Sequence, residues 1–217
     1  MHSDAPEETP PTRPPSLIIR PLSIVARMRF EELFPARQPV EVELGSGDGS
    51  FLAEYAFRHP ERNFLGVERL LGRLRKLDRK GLRRGLKNLR LARIEAGYLA
   101  DYLLPPASIS ALHIYFPDPW PKRKHRKNRL INPGFASVLE RILVPGGRAY
   151  LRTDDEDYFS QMLEVFAGAP RFLKAETPAD LSGVITDFER GFLARNVLTR
   201  HAAYSVAETT PGQLTHR

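Results

Sequence analysis

Short apolar runs suited to β strands alternate with helical patterns between residues 40 and 153. This alternation predicts an α/β fold with a mostly parallel central sheet flanked by helices, because parallel strands need helical crossovers between them. A separate helix is predicted over residues 23–34, since apolar residues recur there until Pro35 ends the pattern. The predicted strands are residues 40–44, 63–68, 89–94, 110–116 and 147–153. The helices that alternate with them are residues 51–58, a helix rich in Lys and Arg within residues 69–93, and residues 98–103 and 133–143.

At 217 residues the chain is long enough for one ordinary domain, which we place at residues 21–205. Closely spaced prolines predict a disordered Pro-rich tail over residues 1–20, and residues 206–217 are expected to form a C-terminal tail. No run approaches the roughly 20 apolar residues that span a bilayer, and the first residues lack the basic start and apolar core of a signal peptide. We therefore expect a cytoplasmic protein with no membrane partner.

The absence of cysteine excludes several classes of chemistry. Disulfides, thiolate zinc sites, iron-sulfur clusters and catalytic thiolates all require that residue. The six histidines are scattered rather than spaced as ligands, so no metal is expected. His113 is interpreted as a strand residue.

Positive charge is concentrated in two stretches of the chain. The net charge is +7, and residues 122–129 carry six Lys or Arg and no acid, so without them the net charge would be +1. A loop of this kind favours a polyanionic partner such as RNA. Residues 69–93 hold eleven Lys or Arg and one acid. Arg73, Lys76 and Arg83 lie on one helical face there, for which a solvated surface is the simpler interpretation and RNA contact the alternative.

A glycine-rich turn follows the first predicted strand. Gly45, Gly47 and Gly49 stand where a strand passes into a helix, which lets the backbone approach a ligand closely at the carboxyl end of the sheet. Their G-x-G-x-G spacing lacks the G-x-x-G that favours a dinucleotide pyrophosphate. A tight turn without a ligand is the alternative interpretation.

Acidic residues end the next two predicted strands. Glu68 lies about 20 residues beyond the turn, where a carboxylate can accept hydrogen bonds from both hydroxyls of a ribose. Glu95 ends the following run, where it can meet the amino group of an adenine. Each acid alone is explained equally well as a surface carboxylate, but the turn and the two acids together suit an adenosine-containing cofactor.

The most specific segment is Tyr115-Phe116-Pro117-Asp118-Pro119-Trp120-Pro121-Lys122. Its three alternating prolines fix φ as the chain leaves a strand, and so present Asp118 and Trp120 with little freedom. A Pro-rich turn with a buried Trp120 that only closes the sheet is the structural alternative. That alternative leaves a rigidly held carboxylate beside a six-cation loop unexplained.

In these motifs the sequence resembles the bacterial tRNA (guanine-N7)-methyltransferase family, from about residue 40 to residue 192. The resemblance implies a Rossmann-like sheet that binds S-adenosylmethionine, and methyl transfer to N7 of the guanosine at position 46 in the variable loop of tRNA. An enzyme for another RNA such as rRNA, a non-catalytic RNA-binding module and a nucleotide-dependent oxidoreductase are the alternatives. The chain is expected to act as a monomer or a homodimer. The matching motifs are Glu43-Leu44-Gly45-Ser46-Gly47, Asn63-Phe64-Leu65-Gly66-Val67-Glu68, Phe116-Pro117-Asp118-Pro119-Trp120-Pro121-Lys122, Thr153-Asp154 and Thr186-Asp187-Phe188-Glu189.

The resemblance also implies roles for individual residues. Asp118 is implied both as the catalytic residue and as one of the cofactor contacts. Glu95 departs from the family, which often has Asp at that position. The other implied cofactor-binding residues are Glu43, Gly45, Gly47, Glu68 and Glu95. The implied substrate-binding residues are Lys122, Asp154, Thr186, Asp187, Phe188 and Glu189, and the implied RNA-binding residues are Lys124, His125, Arg126, Lys127, Asn128 and Arg129.

Overall fold

The computed structural model describes residues 16–20 and 23–208, and within these the strands form one eight-stranded sheet. The strands are β1 (Ile18–Ile19), β2 (Val40–Leu44), β3 (Asn63–Val67), β4 (Leu89–Ala92), β5 (Ile109–Tyr115), β6 (Leu143–Thr153), β7 (Phe172–Ala175) and β8 (Arg200–Val206). The helices are α1 (Phe30–Leu33), α2 (Ser50–Arg58), α3 (Leu71–Arg83), α4 (Ala96–Tyr98), α5 (Pro133–Ile142), α6 (Glu156–Ala167), α7 (Ala179–Ser182) and α8 (Asp187–Leu193), with a π-helical turn (Leu99–Leu103) after α4 and a 3₁₀ helix (Arg123–Asn128) before α5.

The sheet order is β1-β4-β3-β2-β5-β6-β8-β7, with β8 antiparallel to both of its neighbours and every other pair parallel. The predicted α/β fold with a mostly parallel sheet is therefore confirmed. β2 and β3 are buried along their whole length, as central strands covered on both faces should be. Phe64 and Leu65 are neighbours in β3 but belong to separate apolar clusters, because successive side chains of a strand point to opposite faces.

The strand order reverses between β2 and β5. The chain after β2 crosses to β3 on one side, whereas β5 is followed by β6 on the other. The two crossovers diverge and leave a crevice at the carboxyl ends of these strands. The glycine turn and the segment after Tyr115 both enter this crevice.

The helix predicted over residues 23–34 is mostly absent. Only Phe30–Leu33 is helical, and Ile24 and Val25 are exposed. The Ser23 hydroxyl accepts a hydrogen bond from the backbone N–H of Val25 at 3.1 Å, a local turn that competes with helix formation. Met28, Phe30 and Leu33 do pack against the core, so these apolar contacts are made largely without a helix.

Most of both predicted tails, residues 1–15 and 209–217, lies outside the described residues. The predicted tail boundary at residue 20 is nevertheless wrong, because Ile18–Ile19 pairs with β4. The preceding Leu17 is buried, and its N–H donates to Asp78 Oδ1 at 2.7 Å. The apolar residues before residue 20 therefore extend the edge of the sheet.

Within the described residues, no helix is long and apolar enough to cross a membrane, and no group of three or more His, Cys, Asp or Glu is placed to hold a metal. His113 is a buried residue of β5, as its sequence context predicted. Its ring nitrogens form hydrogen bonds with Glu41 Oε2 at 2.8 Å and with the Tyr115 hydroxyl at 2.9 Å. Both nitrogens are therefore engaged inside the sheet.

Gly49 provides a test of how closely the glycine turn packs against α3. Its φ is 74°, and an added Cβ would lie 2.2 Å from Cδ1 and 2.7 Å from Cβ of Leu77. We expect Gly49→Ala to lower the free energy of unfolding by about 1 kcal/mol for backbone strain and by about 1–3 kcal/mol more for overpacking. Gly85→Ala is the matched control, since Gly85 has a φ of 66° and nothing within 4 Å of its Cβ position. Urea unfolding should show the larger loss for Gly49→Ala, and equal losses would contradict this packing.

Candidate active site

The glycine turn between β2 and α2 has left-handed backbone at all three glycines, with φ of 81° at Gly45, 55° at Gly47 and 74° at Gly49. Residues with a Cβ are disfavoured in that region, which explains the repeated glycine. The N–H groups of Gly45 and Ser46 donate to the carbonyl of Val67 at 2.9 and 2.8 Å, so the turn is tied to the end of β3. Nothing lies within 4 Å of the place that a Cβ of Gly45 would take, which leaves this backbone open to a ligand.

A cleft of about 500 Å³ opens at the crevice, between the chain segments that follow β2, β3, β4 and β5. A smaller recess shares Gly45 with this cleft and contains further residues implied by the resemblance. Motifs that are far apart in the sequence therefore converge on one place in the fold. The cleft contains Gly45, Glu68, Glu95 and Asp118, and the recess contains Glu43, Gly47, Thr186 and Phe188.

Backbone hydrogen bonds hold Glu68 and Glu95 at the cleft. Glu68 is buried, and its carboxylate accepts from the N–H of Gly47 at 3.2 Å and from the N–H of Leu70 at 2.7 Å. Glu95 is the N-cap of α4 and accepts from two N–H groups of that helix at 2.9 and 2.6 Å. Each carboxylate oxygen has a second lone pair, so both acids can accept further hydrogen bonds without moving. Their contacts with ribose and adenine stay predictions.

Glu43, at the end of β2, is a buried acid with an unsatisfied oxygen. Its Oε2 has no hydrogen-bond partner among the described residues, and neither has Ser46 Oγ. Burial raises the pKa of Glu43 to about 8, with the charge of Arg152 opposing the shift and two neighbouring carboxylates adding to it. An unpaired buried polar group costs about 1–3 kcal/mol. The recess therefore fits a polar ligand that brings hydrogen-bonding groups to these two side chains.

The Pro-rich segment after β5, residues 116–121, has strained backbone on both sides of Asp118. Phe116 and Trp120 have φ of 52° and 44°, in the left-handed region that residues with a side chain rarely adopt. Such strain, of about 1–3 kcal/mol per residue, persists only where the surroundings enforce it. Asp118 is exposed at the cleft, and Trp120 is half-buried in the cleft wall with its ring edge-on to His125. The prolines predicted a rigid segment, but not its two left-handed residues.

Arg129 lies where a residue that contacts RNA would not be found. It is 2% exposed, and its Nε donates to the carbonyl of Pro119 at 2.7 Å. Its guanidinium also donates to Gln161 and Asp157 of α6 at 2.9 and 2.5 Å and lies over the ring of Tyr158. The prediction that Arg129 binds RNA is therefore wrong, because its donors are used inside the protein. It ties the Pro-rich segment to α6 instead.

The rest of the predicted RNA-binding stretch forms a short basic surface, which we call the basic helix (Arg123–Asn128). Lys122 is its N-cap and is exposed. Arg126 is paired with Asp157 at 2.9 Å, and Asn128 lines the cleft. Lys124 and Lys127 are exposed, whereas His125 is half-buried. The basic helix therefore follows directly from the wall of the cleft, and its contact with RNA stays a prediction.

Thr186 and Glu189 form a capping box at the start of α8. Thr186 Oγ1 accepts from the N–H of Glu189 at 3.0 Å, and Glu189 Oε2 accepts from the N–H of Thr186 at 3.3 Å. Glu189 also pairs with Arg152 at 2.9 Å and with His201 at 3.1 Å. Burial acts to raise the pKa of Glu189, but the hydrogen bond from His201 and the charge of Arg152 lower it overall. Both residues fix the start of α8 beside the recess, and their contact with substrate stays a prediction.

The other implied substrate residues lie on two sides of the crevice. The N–H of Asp187 donates to Ser50 Oγ at 2.8 Å, which joins α8 to the start of α2. Phe188 is exposed, with its ring 6.3 Å from that of Phe116. Asp154 follows β6, at the same edge of the sheet as the Pro-rich segment.

Sequence reasoning missed Arg152, which is among the largest fully buried side chains of the described residues. Its guanidinium lies 4.3 Å from the ring centre of Tyr115 and donates to the carbonyls of Leu181 and Val184 at 2.8 Å. The available signal was a cation inside an apolar strand pattern, a signal that the exposed Arg148 of the same strand shares. A cation that is buried in such a strand must find partners in the interior, since an unpaired buried charge is too costly.

The raised pKa of Glu43 predicts how stability depends on pH. Between pH 4.5 and about 8 the folded protein holds a proton that the unfolded chain has released, so this residue's contribution to stability falls as pH rises. The slope approaches about 1.4 kcal/mol per pH unit for one proton. The Gln side chain of Glu43→Gln stays neutral, so the variant should lack that slope. The free energy of unfolding of the variant should therefore increase relative to that of the wild type as the pH rises from 5.5 to 7.5. Parallel urea-unfolding profiles for the two proteins would contradict the assignment.

Comparison with known proteins identifies the family to which the chain is related. A family model described as "Putative methyltransferase" matches residues 37–197. The tRNA (guanine-N(7)-)-methyltransferase of Chromohalobacter salexigens is 40% identical over 152 residues, which cover 70% of this chain and 62% of that protein. The protein of the same name from Halorhodospira halophila is 36% identical over 84% of this chain and 81% of its own length. That from Rubrobacter xylanophilus is 40% identical over 70% of this chain and 68% of its own.

Solved structures show the same fold at low sequence identity. The 16S rRNA methyltransferase KamB superposes with a TM-score of 0.60 at 17% identity, over 82% of this chain and 92% of that one. The 30S ribosomal A1408 methyltransferase from an uncultured bacterium has a TM-score of 0.56 at 18% identity, over 83% and 92% of the two chains. The chain thus has the fold of these two methyltransferases. The family model covers most of the described residues, and three relatives are identical to this chain at more than a third of the aligned positions. The chain therefore belongs to the bacterial tRNA (guanine-N(7)-)-methyltransferase family.

Proposed function

We propose that this chain transfers a methyl group from S-adenosylmethionine to N7 of a guanosine in tRNA, at position 46 of the variable loop. The observation that carries the proposal is Asp118, an exposed carboxylate held by strained backbone at the cleft that the glycine turn also lines. The names of the relatives support the choice of tRNA and of N7. We further propose that the protein acts in the cytoplasm, where its substrate is found, as a monomer or a homodimer.

The residues at the cleft fit the cofactor. S-adenosylmethionine, when bound, supplies an electrophilic methyl group on a sulfonium sulfur. Gly45 and Gly47 would let its amino-acid and ribose portions approach the backbone, and Glu68 and Glu95 would accept hydrogen bonds from ribose and adenine. The unsatisfied oxygen of Glu43 suits a cationic donor group of the same molecule. Binding would thereby satisfy a polar atom that the protein leaves unpaired.

The chemistry of the base makes positioning the main task of the protein. Guanine N7 carries an exposed lone pair and no proton, so the reaction needs no general base, and alignment of the reacting atoms dominates. The Asp118 carboxylate would accept hydrogen bonds from the donors on the Watson-Crick edge of guanine. Its negative charge would also stabilise the positive charge that develops on the base. Selectivity for guanine and stabilisation of the transition state would then come from one group.

The basic helix would hold the RNA near this carboxylate. The ammonium groups of Lys124 and Lys127 are exposed and suited to phosphates, which position the RNA without reading its sequence. Arg129 would contribute differently, as a positioning residue that fixes the Pro-rich segment from behind. Lys124 and Lys127 would thus bind the RNA, while Arg129 would hold the segment that carries Asp118 in place.

Asp118→Asn tests the catalytic role, because it keeps the volume of the side chain and removes its charge. We expect kcat to fall by about 10²–10³-fold, as for the loss of a group aimed at developing charge. The measurement is transfer of labelled methyl from S-adenosylmethionine to unmodified tRNA, followed by strand cleavage specific for 7-methylguanosine. Asp180→Asn, at an exposed carboxylate outside the cleft, is the matched control. Full activity of Asp118→Asn would remove Asp118 from this role, and label on rRNA but not on tRNA would overturn the substrate.

Arg129→Lys tests the positioning role, because lysine keeps the charge but cannot form the same set of directional hydrogen bonds. We expect kcat to fall about tenfold, which corresponds to ~1.4 kcal/mol of lost alignment. The KM for tRNA should change little, since the side chain is buried. Arg29→Lys, at an exposed arginine before α1 and outside both the cleft and the basic helix, is the matched control. A raised KM with unchanged kcat would instead indicate that Arg129 contacts the RNA.

A further inference from the structure

A second cleft, of about 550 Å³, lies between α2, α3 and the chain that leads into α8. It has no lining residue in common with the cleft at Asp118, and it shares Ser50 with the recess at the glycine turn. We call it the basic cleft, because its lining includes five Lys or Arg and one acid. The cations are Arg58, Lys80, Arg83, Arg84 and Arg190, and the acid is Glu54.

Glu54 orients two of these cations rather than neutralising the cleft. Its Oε1 pairs with Arg58 at 2.8 Å and its Oε2 with Arg84 at 2.7 Å, so one negative charge is shared by two guanidinium groups. Arg83 forms no ion pair with any residue that the structure describes, and its Nε donates only to the backbone carbonyl of Arg79. Lys80 pairs with Asp48 at 3.2 Å, and Arg190 pairs with Asp187. The five cations of the basic cleft thus share three acids, Glu54, Asp48 and Asp187, and an excess of positive charge is left on side chains that are already held in place.

The positively charged face of α3 runs from the Asp118 cleft to the basic cleft. Arg73, in the first turn of α3, lines the Asp118 cleft, and Arg83, in the last turn, lines the basic cleft. At a rise of 1.5 Å per residue these two positions are about 15 Å apart along the helix. Arg75, Lys76 and Arg79 are exposed between them, and none has an acidic partner among residues 16–20 and 23–208. A continuous positive surface therefore connects the two clefts.

We propose that the basic cleft and the exposed face of α3 bind backbone phosphates of the tRNA at a distance from the methylated guanosine. The proposal rests on the proposed function, which makes RNA the polyanion that this surface must hold. Planar guanidinium groups match phosphate oxygens with paired hydrogen bonds, and three of the five cations are already fixed by Glu54 or by the backbone. A single small anion would not use the row of cations on α3, whereas an extended backbone would. A second point of attachment would fix the orientation of the RNA above Asp118.

Lys76→Ala combined with Arg83→Ala tests this surface, because both side chains take part in no ion pair within the described residues. We expect the Kd for an unmodified tRNA transcript, measured by fluorescence anisotropy near 0.15 M salt, to rise about tenfold. The slope of log Kd against log salt should decrease by about one for each phosphate that the variant no longer neutralises. The KM for tRNA in methyl transfer should rise by a similar factor.

Two further variants separate the possible outcomes. Lys174→Ala removes an exposed cation from the edge strand β7 and should leave binding unchanged, whereas Lys124→Ala with Lys127→Ala should weaken it through the basic helix. If the α3 variant binds like Lys174→Ala while the basic-helix variant is weakened, the basic cleft is not an RNA site and the proposed function stands. If neither pair weakens binding and no methyl group reaches tRNA, the proposed function fails as well.

Discussion

At the centre of the sheet β2 pairs in parallel with β5, and Leu44 lies opposite Ile114. Because the crossovers that follow these two strands leave in opposite directions, the helices cannot close over this point and a crevice stays open. The glycine turn enters it from the end of one strand, and the Pro-rich segment enters from the end of the other. The candidate active site depends on this pairing, since it makes neighbours of two loops that are far apart in the chain.

Arg152 connects this crevice to the last third of the chain. Its guanidinium lies over the ring of Tyr115, donates to two backbone carbonyls in the chain before α8 and pairs with Glu189. A buried ion pair is weak evidence for stability, because the loss of hydration offsets much of the attraction. Its effect here is geometric, since these directional bonds together fix how α8 meets the sheet. Thr186 is thereby held in the recess at the glycine turn.

Most strands and helices between residues 40 and 153 could be predicted because their signal is local, whereas the helix predicted over residues 23–34 and the missed strand β1 lie before them. Buried parallel strands are continuous apolar runs, and glycine or proline marks the places where they end. The later elements gave a weaker signal: β7 has four residues, and β8 begins with two polar ones. These two strands are fixed by contacts with α6, where Phe166 packs against Phe172 at 5.0 Å and stacks on Tyr204 at 4.1 Å. Contacts of that kind leave no periodic pattern in either short segment.

The sequence by itself determined the backbone that glycine and proline impose, the polar group at each strand end and the concentration of cations in residues 122–129, because each of these is a property of a residue and its immediate neighbours. It could not distinguish Arg129 from the other cations of that stretch. Only the tertiary structure decided that Arg129 is buried against α6, that Glu189 is paired with Arg152, and that burial raises the pKa of Glu43. The physical reason is the same for all three. Whether a charged group keeps its water depends on which distant segments pack around it, and a local pattern does not contain that information.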